Sequence, residues 1–265
     1  LGIALPEPGA VASGMVFFSQ EADARAWQTE CFERIVAEEG QQCLGWRDVP
    51  VASDAIGWLA REGMPVIRQV FLGRGDGVDQ DGFERKLYVI RRCFEKAVGA
   101  HGSFAYVPSL SSRTFVFAGM LVPSQLDKFF HDLKDPALES ALAIVHSRYS
   151  TNTFGSWDLA QPFRYLAHNG EINTLKGNRN AMHAREGTLR SELFGEDLSK
   201  LYPLMRGESA SDSAQFDNAL EFLCLTGREL PEAMMMMIPE AWEKHEGMSD
   251  DLRAYYEYHS FLMEP

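Results

Sequence analysis

Three short stretches hold the side chains best suited to grip a polar substrate: Arg148 in "HSRYSTN", Asn169-Gly170 in "AHNGE", and Ser211-Asp212-Ser213 in "SASDSAQFDN". A guanidinium at the end of a strand can hold a carboxylate through two parallel hydrogen bonds, although an arginine so placed also pairs with structural acids. An Asn amide next to a Gly backbone N–H aims two donors at one point, which is what a developing oxyanion needs; Asn-Gly is equally the commonest tight turn of hairpins. Asp212 can receive an ammonium group, or the Ser-Asp-Ser run can cap the apolar-periodic helix that follows it. Together these groups describe a pocket for a zwitterionic amino acid whose reacting group is a carbonyl.

No attacking group accompanies them. Ser147 directly follows His146, and successive side chains on a strand point to opposite faces, so the two make a poor nucleophile–base pair. The four cysteines, Cys31, Cys43, Cys93 and Cys224, are scattered, without a CxxC pair or a His at zinc-finger spacing. None has a His or Lys beside it to favour thiolate, and they read as free buried thiols, with no metal site expected.

The elements that must position these residues alternate at first between strand and helix. "GMVFFSQ" (14–20) is a short apolar strand, and 21–39 carries Trp27, Cys31 and Ile35 at helical spacing. "QCLGWRDVP" and "PVIRQVFLG" predict further strands around a short helix at 54–61, and "GRGDGVDQDG" a loop. Phe83, Leu87, Ile90, Phe94 and Val98 mark one face of a helix over 81–98. "FAYVPSL" and "RTFVFAGML" predict a hairpin turning at "SSR", and "ESALAIVHSRYS" and "FRYLAHNG" two more strands that end in the polar residues above. From Ile172 onward the pattern is helical, in "INTLKGNRNAMHARE", "SDSAQFDNALEFLCLTG", "LPEAMMMMIPEAW" and "DDLRAYYEYHSFLM"; the run Met234 to Met237 reads as adaptable core filler. Strands early and helices late predict an α+β fold, sheets covered by helices.

Composition removes several functions. A length of 265 residues with 45% hydrophobic content supports a buried core, and a net charge of −13 opposes the phosphate backbone of nucleic acid. No apolar run reaches the roughly 18 to 20 residues that span a bilayer, and "LGIALPEPGA" lacks the features of a signal peptide, so a cytoplasmic protein without membrane partners is expected. The chain starts at Leu1 without Met and stops at "FLMEP", which predicts a piece of a longer polypeptide.

The blocks "HSRYSTNTFGSWDLAQPFRYLAHNGEINTLKGNRN", "GWRDVPV", "SLSSRT", "SDSAQFDNALE" and "DDLRAYYEYHSFLMEP" resemble, in order, the class II glutamine amidotransferase domain of glutamate synthase large subunits, from about Gly14 to Pro265. The resemblance implies one such domain over 1–265, with a four-layer αββα N-terminal-nucleophile hydrolase fold that is incomplete at its N-terminus. It implies that a cysteine thiol at a mature N-terminus attacks L-glutamine, giving glutamate and ammonia, and that the remaining synthase domains use the ammonia to aminate 2-oxoglutarate reductively. Arg148 matches the residue holding the glutamine carboxylate, Asp212 the one receiving its amino group, and Asn169 with Gly170 the oxyanion hole. Thr151 and Asn152 fall in the pocket-lining loop, and His168 and Glu171 flank the hole.

Leu1 cannot serve as the nucleophile, so the resemblance implies a chain inactive by itself. It places no cofactor in this segment, and assigns FMN, an iron–sulfur cluster and a reductant (NADPH, NADH or ferredoxin) to the full enzyme. It leaves room for a small reductase subunit and, in a plant or algal parent, for a plastid location. The competing readings are a non-catalytic glutamine-binding regulatory module and another class II amidotransferase, the latter opposed by the long region from Gly14 to Pro136.

Overall fold

The computed structural model describes residues 2–172, 174–207 and 209–262, so Asn173 of the NGEIN block and the closing MEP lie outside the described residues. The chain divides into two compact units, Leu1–Asn169 and Gly170–Pro265.

The first unit is built on one antiparallel sheet of four strands, β1 (Val11–Phe18), β2 (Gln42–Asp48), β3 (Val66–Gly73) and β4 (Tyr106–Ser111), in the order β2-β3-β1-β4. β1 sits inside, pairing Val11 with Gly73 through Phe18 with Val66 on one side and Ser13 with Ser111 on the other. Its position explains its composition, because a strand covered on both faces is apolar on both. Ala12, Val16 and Phe18 enter one core, while Met15 and Phe17 enter another.

Helices α1 (Ala22–Glu38) and α3 (Gln80–Ala100) cover the first face. All five residues of the periodic set, Phe83, Leu87, Ile90, Phe94 and Val98, lie in that core beside Phe32, Ile35 and Val36 of α1. The Asp79 carboxylate caps α3 by accepting from the Gly82 N–H at 2.6 Å, which fixes where the helix begins. Short pieces cover the opposite face: α2 (Trp58–Glu62) and α4 (Leu126–Phe129), with Phe130, Trp157 and the stretch 115–121.

Three expected strands are not formed. The 113–121 arm of the hairpin makes no ladder, because serine hydroxyls intercept its donors: Ser111 Oγ accepts from the N–H of Arg113 and Thr114 (3.0 and 3.2 Å), and Ser109 Oγ from that of Val116 (3.1 Å). The segment still keeps a strand's alternation, with Phe115 and Phe117 packed on the sheet core and Val116 and Ala118 turned to a separate cluster with Ala160 and Tyr149. Over 139–150 no neighbouring strand among the described residues supplies a ladder, and Leu142 and Val145 stay 78% and 76% exposed. β-branched and apolar residues form a strand only where a partner and a surface exist to pack on. "FRYLAHNG" is broken by a turn at Arg164 and Tyr165, closed by the Phe163 N–H donating to the Leu166 carbonyl at 2.9 Å.

The second unit is helical, with α5 (Leu175–Arg185), α6 (Asp212–Leu225), α7 (Leu230–Met237) and α8 (Asp250–Leu262). α6 is buried almost all round, polar residues included. α7 starts with Pro231 in its first turn and stops before Pro239, which disfavours helical backbone at Ile238. Within the methionine run Met236 is buried and Met234, Met235 and Met237 are half-buried, so filler describes the first fully and the others in part. Among the described residues the chain is thus mixed α and β, with its four strands preceding the helical unit in sequence.

Candidate functional site

In the first unit the candidate residues stand on the irregular segment 146–169. Arg148 is exposed, its backbone N–H donating to His146 Nδ1 at 3.1 Å. Among the described residues its guanidinium forms no ion pair, so pairing with a structural acid does not account for it. Thr151 and Asn152 occupy an exposed turn just beyond. Asn169 is exposed as well. No described residue other than glycine has a positive φ, so Asn169 does not adopt the left-handed backbone that an Asn-Gly type I′ hairpin turn requires.

Between these exposed groups the segment is pinned by buried ones. Trp157 is the main anchor: its indole N–H donates to the Ala60 carbonyl at 3.0 Å, and its ring meets Phe17 edge-on at 5.8 Å and Phe129 at 5.7 Å. Gly119 makes room for that ring, since a Cβ there would lie 2.6 Å from Trp157 Cζ3. A few residues earlier, the Tyr149 ring packs where a Cβ on Gly155 would come within 3.1 Å. Its hydroxyl is buried, and desolvation, reinforced by Asp158, pushes its pKa well above the usual phenol range. Gln161, also buried, accepts the His168 N–H on Oε1 at 2.9 Å and so closes the loop that leads into Asn169.

In the second unit Ser211 is the N-cap of α6, its hydroxyl accepting from the Ala214 N–H at 3.2 Å. That assignment frees Asp212 from capping. Asp212 lies in the first turn, 2% exposed, with Oδ1 accepting from the Ser213 N–H at 2.6 Å and Oδ2 from the Ile172 N–H at 3.2 Å. The Ser213 hydroxyl donates to Oδ1 as well, at 3.2 Å, and the helix N-terminus favours a negative charge at this position. Through Ile172 the aspartate is tied to the chain two residues past Gly170. Glu171 is exposed.

Two of the four cysteines are shifted away from activation, while the Arg34 guanidinium donates to the Cys31 sulfur at 3.6 Å. Cys31 is buried and Cys43, Cys93 and Cys224 are half-buried, all free thiols. Burial raises the pKa of Cys43 and pushes the Cys224 thiol up to about 11, the direction opposite to that of a reactive thiolate. Among the described residues no three His, Cys, Asp or Glu side chains gather as metal ligands, and no helix is long and apolar enough to cross a membrane.

The family model of the class-II glutamine amidotransferases matches residues 1–265. The chain belongs to the class II glutamine amidotransferases. Its relatives include the NADPH glutamate synthase large chain of Bacillus subtilis (strain 168), 50% identical over 264 residues that cover 99% of this chain and 17% of that protein. The NADH glutamate synthase of Schizosaccharomyces pombe is 45% identical over 272 residues, 100% of this chain and 13% of that protein. Ferredoxin-dependent glutamate synthase 1, chloroplastic/mitochondrial, of Arabidopsis thaliana is 40% identical over 256 residues, 95% of this chain and 16% of that protein. This amidotransferase chain therefore spans about a sixth or less of the length of these relatives.

Sequence reading marked the exposed Arg148 and Asn169 and the buried Asp212, but passed over Trp157 and Gln161. Trp157 carried one available signal, a tryptophan within a polar stretch two residues after Gly155. Gln161 carried none, since nothing in "DLAQPF" distinguishes a loop-closing amide from a solvated one.

Proposed function

We propose that this chain is the glutaminase portion of a glutamate synthase: it binds L-glutamine and stabilises the oxyanion formed when a thiol attacks the side-chain amide, releasing ammonia and then glutamate. Arg148 holds the α-carboxylate, Asp212 receives the α-ammonium, and Asn169 with the Gly170 N–H faces the developing oxyanion, with Thr151 and Asn152 lining the pocket. The observation that carries the reading, beyond family membership, is the exposed Arg148 without an acid partner among the described residues, on a segment whose backbone Trp157 and Gln161 hold in place. In this reading none of the four cysteines is the nucleophile, in line with the raised values at Cys43 and Cys224.

The proposal extends to the fold and to the whole enzyme. A layered αββα arrangement, with a second sheet against the Met15–Phe17 face, is supported by the strand-like alternation of Phe115 to Ala118 on that face. The names of the relatives carry three electron donors, NADPH, NADH and ferredoxin. We assign the reductant, FMN and an iron–sulfur cluster to other portions of the polypeptide or to a small reductase subunit, where 2-oxoglutarate takes up the ammonia.

The test compares two nitrogen sources in a full-length synthase carrying this chain. Arg148→Ala or Asp212→Ala should lower kcat/KM for glutamine by about 10²-fold or more, the scale of a lost charge-assisted contact, while ammonia-dependent synthesis is spared. Equal loss with both nitrogen sources would refute the assignment.

A further inference from the structure

We propose that Gln161 is a positioning residue for the oxyanion hole, acting through the backbone of His168; the inference rests on the glutaminase reading above. The loop 161–168 is closed twice. Near its tip the Phe163 N–H donates to the Leu166 carbonyl at 2.9 Å, and at its mouth the Gln161 carboxamide oxygen accepts the His168 N–H at 2.9 Å. The second tie is a side chain where a backbone carbonyl would ordinarily serve, and it falls one residue before Asn169.

The acceptor side of this tie is buried. Gln161 is 8% exposed, and Ala160 beside it packs against Val116 and Ala118. Fixing the His168 N–H fixes the Ala167–His168 peptide plane, which leaves the two dihedrals of His168 between that plane and the peptide of Asn169, and an oxyanion donor works only when it is aimed before the charge develops. The nitrogen of the same carboxamide is buried and has no acceptor among the described residues. An apolar side chain of equal size would fill the place without stranding a donor, so what Gln161 supplies there is the acceptor oxygen.

The experiment uses the full-length enzyme with Gln161→Met, which removes the acceptor, and Gln161→Glu, which keeps one. Glutamine- and ammonia-dependent kinetics are measured together with hydrogen exchange of the peptide containing His168. A misaimed hole weakens transition-state binding more than substrate binding, so Gln161→Met should lower kcat with glutamine about 10- to 100-fold with little change in KM. Its ammonia-dependent rate should hold, its His168 amide should exchange faster than in the wild type, and Gln161→Glu should recover most of the kcat.

An unchanged kcat in Gln161→Met, a parallel fall of the ammonia-dependent rate, a failed rescue by Glu, or a His168 amide already fast in the wild type would each overturn the proposal. Arg148→Ala run alongside separates the two inferences. If it cripples glutamine use while Gln161→Met does not, only the Gln161 role fails; if Arg148→Ala is also silent, the glutaminase reading fails.

Discussion

Trp157 ties the candidate segment to the sheet, and its contacts allow the cost of removing it to be worked out. Trp157→Phe keeps an aromatic ring between Phe17 and Phe129 but loses the 3.0 Å bond from the indole N–H to the Ala60 carbonyl. That carbonyl stands at the C-terminal end of α2, where the Met64 N–H turns back to Arg61 instead, at 3.2 Å. Leaving it buried and unmatched costs about 1–3 kcal/mol, and the smaller ring adds about 1 kcal/mol of lost packing. A total of about 3 kcal/mol should lower the melting temperature by roughly 6–12 °C for a domain of this size. Trp157→Ala removes the whole ring, about 3–5 kcal/mol for the cavity alone, so its combined cost is a large share of a typical domain's roughly 5–15 kcal/mol. Thermal melts of both variants, read with the glutamine KM of the full-length enzyme, provide the assay. A Trp157→Phe melt within about 1 °C of the wild type would refute the anchor. A lowered melt with glutamine KM and kcat unchanged would instead detach the anchor from the site.

Two further outcomes follow from the titrating groups. Because burial raises Cys224 from the ordinary thiol range to about 11, its thiolate fraction at pH 8 is reduced about 100-fold, so iodoacetamide should label it far more slowly than in the denatured chain. Faster labelling in the folded protein would refute this, and Cys43→Ser with Cys224→Ser should leave glutamine hydrolysis by the full-length enzyme intact. His259 is held below the usual imidazole value chiefly by burial, with Arg228 adding to the effect and Glu232 opposing it. Below about pH 6.5 the unfolded chain then binds a proton that the folded one refuses, so this contribution is full above that pH and is lost as pH falls. His259→Gln should flatten the fall in melting temperature between pH 6.5 and 5, and an unchanged slope would count against the shift.

What was legible in the sequence was what repeats. α3 could be read because Phe83 to Val98 recur at the helical period and meet one continuous core, and β1 because an apolar run that short suits a strand buried on both faces. The 113–121 arm misled because its residues do alternate as a strand's do, while the choice between ladder and loop was made by Ser109 and Ser111, hydroxyls close in sequence whose competition leaves no periodic trace. At α6 the serine–aspartate pattern left capping and ligand binding open for one short run. The geometry divides them, with Ser211 taking the cap and Asp212 reaching to Ile172.

The same division of labour organises the segment from Arg148 to Asn169. The groups facing solvent, Arg148 and Asn169, stand on a segment held by buried residues, Trp157 against Ala60 and Gln161 against His168. A long loop free of such pins would lose much of its gain from binding a ligand to the entropy of ordering itself. Here that ordering is completed during folding by an indole and a carboxamide, which is the condition for a set of neutral donors to act on a charge that exists only in a transition state. On the proposed glutaminase reading, chemistry in this segment depends on buried side chains behind the substrate-facing groups, and substitutions at Trp157, Gly119 or Gln161 should impair glutamine use in the full-length enzyme.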